Sequence, residues 1–238
     1  VNGADEADIS VHPFHIPTTS FMSNQPEIGK GIYTRKDIST ILQMKYHKVN
    51  RWVTSYAAVS EEHSWKTGES LAVDFVSLVE FSVIGQLLEA GVKPTAIVKA
   101  RKILQKHFST DTPFTLRPVL EGLTTDSRRI CFRHGDQELV HLDGTAQLNL
   151  GYVRDFMRNL EFDKNLQASR FWPLGKEHSI VVDPARKFGH PVLANRNIYP
   201  ETLFQLIKGG ETVDFVSELY GLNLKEVHDA IAYCTRAA

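Results

Sequence analysis

The stretch 31-GIYTRKDISTILQMKYHKVNRWV-53 decides how the front of the chain folds. Thr34 followed by Asp37 has the spacing of a capping box, in which each residue satisfies the other's free backbone N–H at a helix start. Ile38, Ile41 and Leu42 then share one helical face. The pattern fades near Gln43. After the polar bridge Met44 to His47 it resumes with Val49, Trp52 and Val53 on one side. Two short amphipathic helices joined by a tight turn predict a helix-turn-helix.

In such a unit the second helix lies in the major groove and its first residues reach base edges. With Val49 and Trp52 turned inward, Tyr46, His47, Asn50 and Arg51 face outward. Arg pairs with guanine and Asn with adenine through two hydrogen bonds. Arg35, Lys36, Lys45 and Lys48 suit phosphates, which add affinity but little sequence information. A basic solvent-facing helix in a protein-binding module is the alternative reading of the same spacing.

Downstream, Leu71, Phe75, Leu78, Val79, Ile84, Leu87 and Leu88 predict a long helix ended by Gly91. Pro94 opens another, with Ile97, Ile103 and Leu104 as its apolar stripe and Lys99, Arg101, Lys102 and Lys106 around it. Residues 30–110 therefore read as a helical DNA-binding domain, preceded by an arm over 1–29. In the middle, 111–178, strands are expected at Phe114–Val119, Arg129–Phe132, Leu139–Leu142 and Ser169–Trp172, with a turn at His134-Gly135-Asp136. A helix is expected over Leu148–Leu160, and this region is the expected site of dimerisation. The last domain, 179–238, should hold a strand at Ser179–Val182, a loop over Phe188–Ile198 and three helices. These open at Pro200, near Val213, and after the N-cap Asn223. The fold class is thus mainly α with a small β component.

The chain has 238 residues, 42% hydrophobic and 23% charged, which excludes a disordered or fibrous protein. No apolar run approaches the roughly 18 residues of a membrane span. Two cysteines, Cys131 and Cys234, argue against a disulfide scaffold and for the reducing cytoplasm. The net charge is −1 but its distribution is uneven. Lys30 to Trp52 carries six basic residues against Asp37, and Tyr199 to the end carries six acids against three bases. Such asymmetry points to two surfaces with different partners. Ser60 to Glu69 reads as a polar loop.

Catalytic signatures are missing. The chain has no phosphate-binding glycine loop, no GxGxxG, no HExxH and no GxSxG. His12 with His15, and Cys131 with His134, are pairs where a structural zinc needs four ligands. No enzyme, metal or cofactor is expected.

Residues 31–52 resemble the winged helix-turn-helix of MerR-type regulators, which begin with a Tyr-Thr pair and end the second helix in Arg-Trp. Ser39 stands where those proteins usually carry alanine. Ile180-Val-Val-Asp-Pro184, Phe188-Gly-His-Pro-Val192, Thr212–Tyr220 and Glu226–Tyr233 together look like a small uncharacterised domain found in antitoxins. That domain usually carries a Gly-Thr-Arg-Ile element where this sequence has Asn195-Arg-Asn-Ile198. Phe75 to Phe114 is similar to the linker helices of VapB-like antitoxins that combine both domains. The resemblance implies a type II antitoxin that neutralises a PIN-domain (VapC-like) ribonuclease. It also implies that the antitoxin represses its own operator as a homodimer. PIN toxins use acidic metal sites into which antitoxins insert a basic side chain, and Arg186, Lys187 and Arg196 are the candidates here. A MerR-like regulator answering a small effector, or a protein-interaction adaptor, are the alternatives.

Overall fold

The computed structural model describes residues 27–56, 63–67, 70–126, 129–134, 137–143 and 151–236. The arm, up to residue 26, and the His12/His15 pair lie outside them. So do Gly135 and Asp136 of the expected turn and residues 148–150 of the expected central helix. The described chain is predominantly helical, with small antiparallel sheets. No helix among the described residues is long and apolar enough to cross a membrane.

Strand β1 (Tyr33–Thr34) leads directly into α1 (Arg35–Leu42), and α2 (Tyr46–Tyr56) follows. A hairpin, β2 (Ser64–Thr67) and β3 (Ser70–Val73), comes next, and β3 pairs with both β1 and β2. The expected polar loop at 60–69 therefore contains a strand. Leu71 belongs to β3, and the long helix starts only at α3 (Phe75–Glu89), where Asp74 accepts a hydrogen bond from Ser77 N at 2.9 Å. Pairing of Leu71 with Lys66 across the hairpin, and of Ala72 and Val73 with β1 some forty residues earlier, overrides the helical periodicity of 71–75, because cross-strand partners decide strand identity.

Eleven of the fifteen α3 residues are buried, so the helix is the hub of the core. α4 (Pro94–Phe108) packs beside it with Ile97, Ala100, Arg101 and Leu104 buried. Two sequence expectations for α4 are corrected here. Ile103 is 38% exposed, and Arg101 is buried, donating to Glu80 Oε2 on α3 at 3.0 Å. Burial pushes the Glu80 carboxyl up, and the Arg101 guanidinium pulls against it. A charge so placed is tolerated only because it is paired.

The expected strand at Phe114–Val119 is a 3-10 turn (Pro113–Thr115) followed by α5 (Arg117–Glu121). Pro113 and Pro118 each stand at a first-turn position, where a fixed φ and a missing N–H favour helix. The central sheet is instead β4 (Leu123–Asp126), β5 (Arg129–His134) and β6 (Gln137–Asp143). α6 (Gly151–Arg158) ends before Leu160, which opens β7 (Leu160–Phe162), paired with β8 (Ala168–Phe171). β9 (Ile180–Val181) pairs with β10 (Val192–Leu193), a strand inside the segment expected to be loop. Helices α7 (Pro200–Lys208), α8 (Val213–Tyr220) and α9 (Leu224–Thr235) close the chain.

One apolar core runs from Tyr33 to Val182, drawing on α1 to α4, on Leu123 of β4 and Phe132 of β5, and on β8. A second gathers Ile180, Leu193, Leu203, Val216, Val227 and Tyr233 around the last three helices. Ile32 N donates to Phe188 O at 2.8 Å, and Arg236 Nη2 reaches Ile41 O at 3.3 Å, so the last unit is fastened to the first.

Candidate nucleic-acid interface

The first helix is held as its sequence requires. Asp37 N donates to Thr34 Oγ1 at 3.3 Å and Thr34 N donates to Asp37 Oδ2 at 2.8 Å, a complete capping box. Gln43 takes the left-handed conformation at φ 55° and ends α1. Across that turn Met44 N donates to Ser39 O at 3.0 Å, and Ser39 Oγ donates to Met44 O at 2.6 Å. Ser39 thus clasps the turn between the two helices.

Helix α2 divides cleanly. Val49, Trp52 and Val53 are 4% exposed or less. Tyr46, His47, Asn50 and Arg51 are exposed, as is Lys45 at the helix start. Thr54 completes this face four residues after Asn50, whose carbonyl its hydroxyl bonds at 2.8 Å. It escaped the sequence reading, although the i, i+4 spacing from Asn50 marks it. The helix is seated on α3 through Trp52 and Gly85. A Cβ at Gly85 would lie 2.2 Å from Trp52 Cζ3, so only glycine lets the two helices approach this closely.

The other basic candidates separate. Lys36 is exposed, and Arg35 is half-buried with Nε lacking a partner. Lys48 is tied to Glu89 at the end of α3, 2.5 Å away, an ion pair within the chain at its surface. The structure therefore brings Lys45, Tyr46, His47, Asn50 and Arg51 onto one outward face and turns Lys48 aside.

The C-terminal candidates hold their own loop together. Arg186 Nε donates to Asn197 Oδ1 at 2.9 Å, and its Nη atoms donate to the carbonyls of Ala194, Leu193 and Arg196. Arg196 Nη2 bonds Gly221 O at 3.2 Å, and Lys187 Nζ lies 5.6 Å from the centroid of the Tyr199 ring. Lys187 and Phe188 both have positive φ, 47° and 56°. Arg186 ties the start of this irregular segment to the backbone and side chains at residues 193–197 through its guanidinium donors.

A cavity of about 720 Å³ opens between the hairpin base and the β7–β8 pair. Its wall includes Lys30, His63, Asp74, Phe162, Arg170 and Asp183. His63 Nδ1 and Asp74 Oδ2 are 2.6 Å apart, and Arg170 Nε donates to Asp183 Oδ2 at 2.9 Å. No group of three His, Cys, Asp or Glu side chains suited to a metal occurs among the described residues.

Residues 180–234 match a family described as a protein of unknown function, DUF433. Over 230 residues the chain is 41% identical to the "Uncharacterized protein Rv2308" of Mycobacterium tuberculosis, covering 89% of this chain and 93% of that one. The crystal structure of Rv2018 from Mycobacterium tuberculosis superposes with a TM-score of 0.62 at 16% identity, over 86% of this chain and 98% of the other. That likeness is one of fold.

Proposed function

We propose that this chain, which belongs to the family of the uncharacterized Mycobacterium tuberculosis protein Rv2308, is a DNA-binding antitoxin that represses its own operator. The observation that carries the DNA half is the face of α2. Five side chains suited to bases and phosphates point outward, on a helix whose other side is locked to the core. With the β2–β3 hairpin beside it, the unit has the parts of a winged helix-turn-helix. A homodimer would set two such helices about one DNA turn apart, each on a half-site. The antitoxin half rests on the resemblance of the C-terminal segment to antitoxin domains, and the expected partner is a PIN-domain ribonuclease.

The test is fluorescence anisotropy on the chain's own upstream DNA against a scrambled duplex, across a salt series. Tight, steeply salt-dependent and sequence-selective binding supports the repressor. Co-expression with the product of the adjacent reading frame tests the antitoxin: a stable complex supports it, and separate elution sinks it.

The cavity favours a second reading, a regulator that answers a small effector. Its wall holds His63 and Asp74, and Asp74 N donates to His63 O at 3.2 Å, closing the base of the hairpin. A ligand there would reach the wing. A compound that raises the melting temperature of the chain alone and changes operator affinity supports this reading over the antitoxin.

A further inference from the structure

Helix α8 is the least covered helix of the C-terminal unit. It carries Val213, Phe215, Val216, Leu219 and Tyr220, yet Val216 is its one buried residue. Phe215 is 47% exposed and Leu219 is 57% exposed. They stand four residues apart, so they are neighbours on one helical face. Asp214 and Glu218 run alongside them at the same spacing, and Glu211 precedes the helix; all three are exposed. None of these acids takes part in an ion pair among the described residues. The helix is well anchored beneath: Thr212 caps its start, Gly221 ends it at φ 60°, and Ser217 Oγ bonds Leu222 O at 2.6 Å. A rigid helix that leaves a phenylalanine and a leucine in water between unpaired acids has the anatomy of an interface centre with a charged rim.

We infer that the outward stripe of α8, Asp214-Phe215 with Glu218-Leu219, is the surface on which the partner protein docks. That partner presents an apolar groove rimmed by Lys and Arg. The inference rests on the antitoxin reading and names where its partner sits. Charge decides the occupant. A twofold contact of α8 with α8 would bring Glu211, Asp214 and Glu218 of two copies together, and like charges across an interface oppose it. An acid-lined apolar helix is complementary in charge to a groove rimmed by Lys and Arg. The loop Arg186 to Arg196 is a poorer contact, because its arginines are already spent on carbonyls of their own loop and on Gly221.

The experiment uses the full chain and the product of the adjacent reading frame, with binding measured by calorimetry. Three proteins are compared: the unaltered chain, the double variant Phe215→Ser/Leu219→Ser, and the charge variant Asp214→Lys/Glu218→Lys. Operator binding and the far-UV spectrum serve as folding controls. The expected result is at least about thirty-fold weaker binding for the double variant, the loss typical of removing a central anchor. The charge variant should associate more slowly and lose most of the salt dependence. Equal affinity of all three proteins would overturn the docking surface and leave the antitoxin reading standing. Failure of the unaltered chain to bind would overturn both. A chain that doubles its mass on its own, and becomes monomeric on Phe215→Ser/Leu219→Ser, would make α8 a self-contact and also overturn the proposal.

Discussion

The backbone of Gly189 lies against the ring of Tyr33 so closely that a Cβ at Gly189 would stand 2.1 Å from Tyr33 Oη. This contact joins the strand that precedes α1 and α2 to the loop that precedes the last three helices. Beside it, Ile32 N donates to Phe188 O at 2.8 Å. Tyr33 is fully buried, its hydroxyl lacks a partner, and burial drives its pKa well above the usual phenol value.

Gly189→Ala should therefore be costly twice over. The glycine has φ +85°, a conformation that costs an L-residue about 1–2 kcal/mol. The added methyl also overpacks the Tyr33 ring, for about 1–3 kcal/mol more. Gly221→Ala is the control, since that glycine is also left-handed at φ +60° but nothing lies within 4 Å of its Cβ position. Thermal unfolding should show the larger drop for Gly189→Ala. Equal drops would mean that the Tyr33 contact contributes nothing beyond backbone conformation.

Gly85→Ala tests the seat of α2. The methyl would meet Trp52 Cζ3 at 2.2 Å and Met44 Cε at 2.8 Å, so the helix must shift outward. Stability should fall by about 1–3 kcal/mol. Operator affinity should fall as well, although no DNA-facing side chain has been altered. Tryptophan emission moving to the red, together with weaker anisotropy binding, is the expected pair of results. Unchanged emission would show that the helix stays in place.

Much of this arrangement is local and can be read from the sequence. Thr34 with Asp37 forms the cap that their spacing announces, Asn223 is the N-cap expected, and the three last helices open at the expected residues. The inward and outward faces of α2 follow directly from Val49, Trp52 and Val53. What escaped depends on distant partners. Lys48 meets Glu89, Arg101 meets Glu80, and β3 is held between β1 and β2, with Leu71 paired to Lys66. Phe114 to Val119 alternates like a strand, but Pro113 just before it and Pro118 within it govern the backbone. No periodicity records that Arg186 would spend its donors on Leu193, Ala194, Arg196 and Asn197.

Acid should weaken the C-terminal unit at Asp229. Burial alone would raise this carboxyl, but hydrogen bonds from Lys225 Nζ, His178 and Ser179 N prevail and hold its pKa down at about 2. Its folded pKa is below its unfolded one, so the stabilisation is complete above about pH 4 and is lost as pH falls toward 2. The difference amounts to about 2 kcal/mol. Asp229→Asn should remove this stability at neutral pH and flatten the dependence of unfolding free energy between pH 4 and 2. A variant that keeps the full slope would place the acid-sensitive group elsewhere.

Three substitutions on and beside α2 separate base contacts from phosphate contacts. Arg51 is exposed on the outward face, so Arg51→Ala should cost about 1–3 kcal/mol of discrimination between operator and scrambled DNA. Lys45, exposed at the helix start, suits a phosphate. Lys45→Gln should weaken binding to both duplexes alike and lower the salt slope by about 1. Lys48 has the same charge three residues on, but its ammonium is paired with Glu89. Lys48→Gln should leave the salt slope where it was and instead lower stability by no more than about 1 kcal/mol, the range of an exposed ion pair. Should Lys48→Gln reduce the slope as much as Lys45→Gln does, the Glu89 contact must open on DNA binding, and Lys48 rejoins the phosphate-binding set.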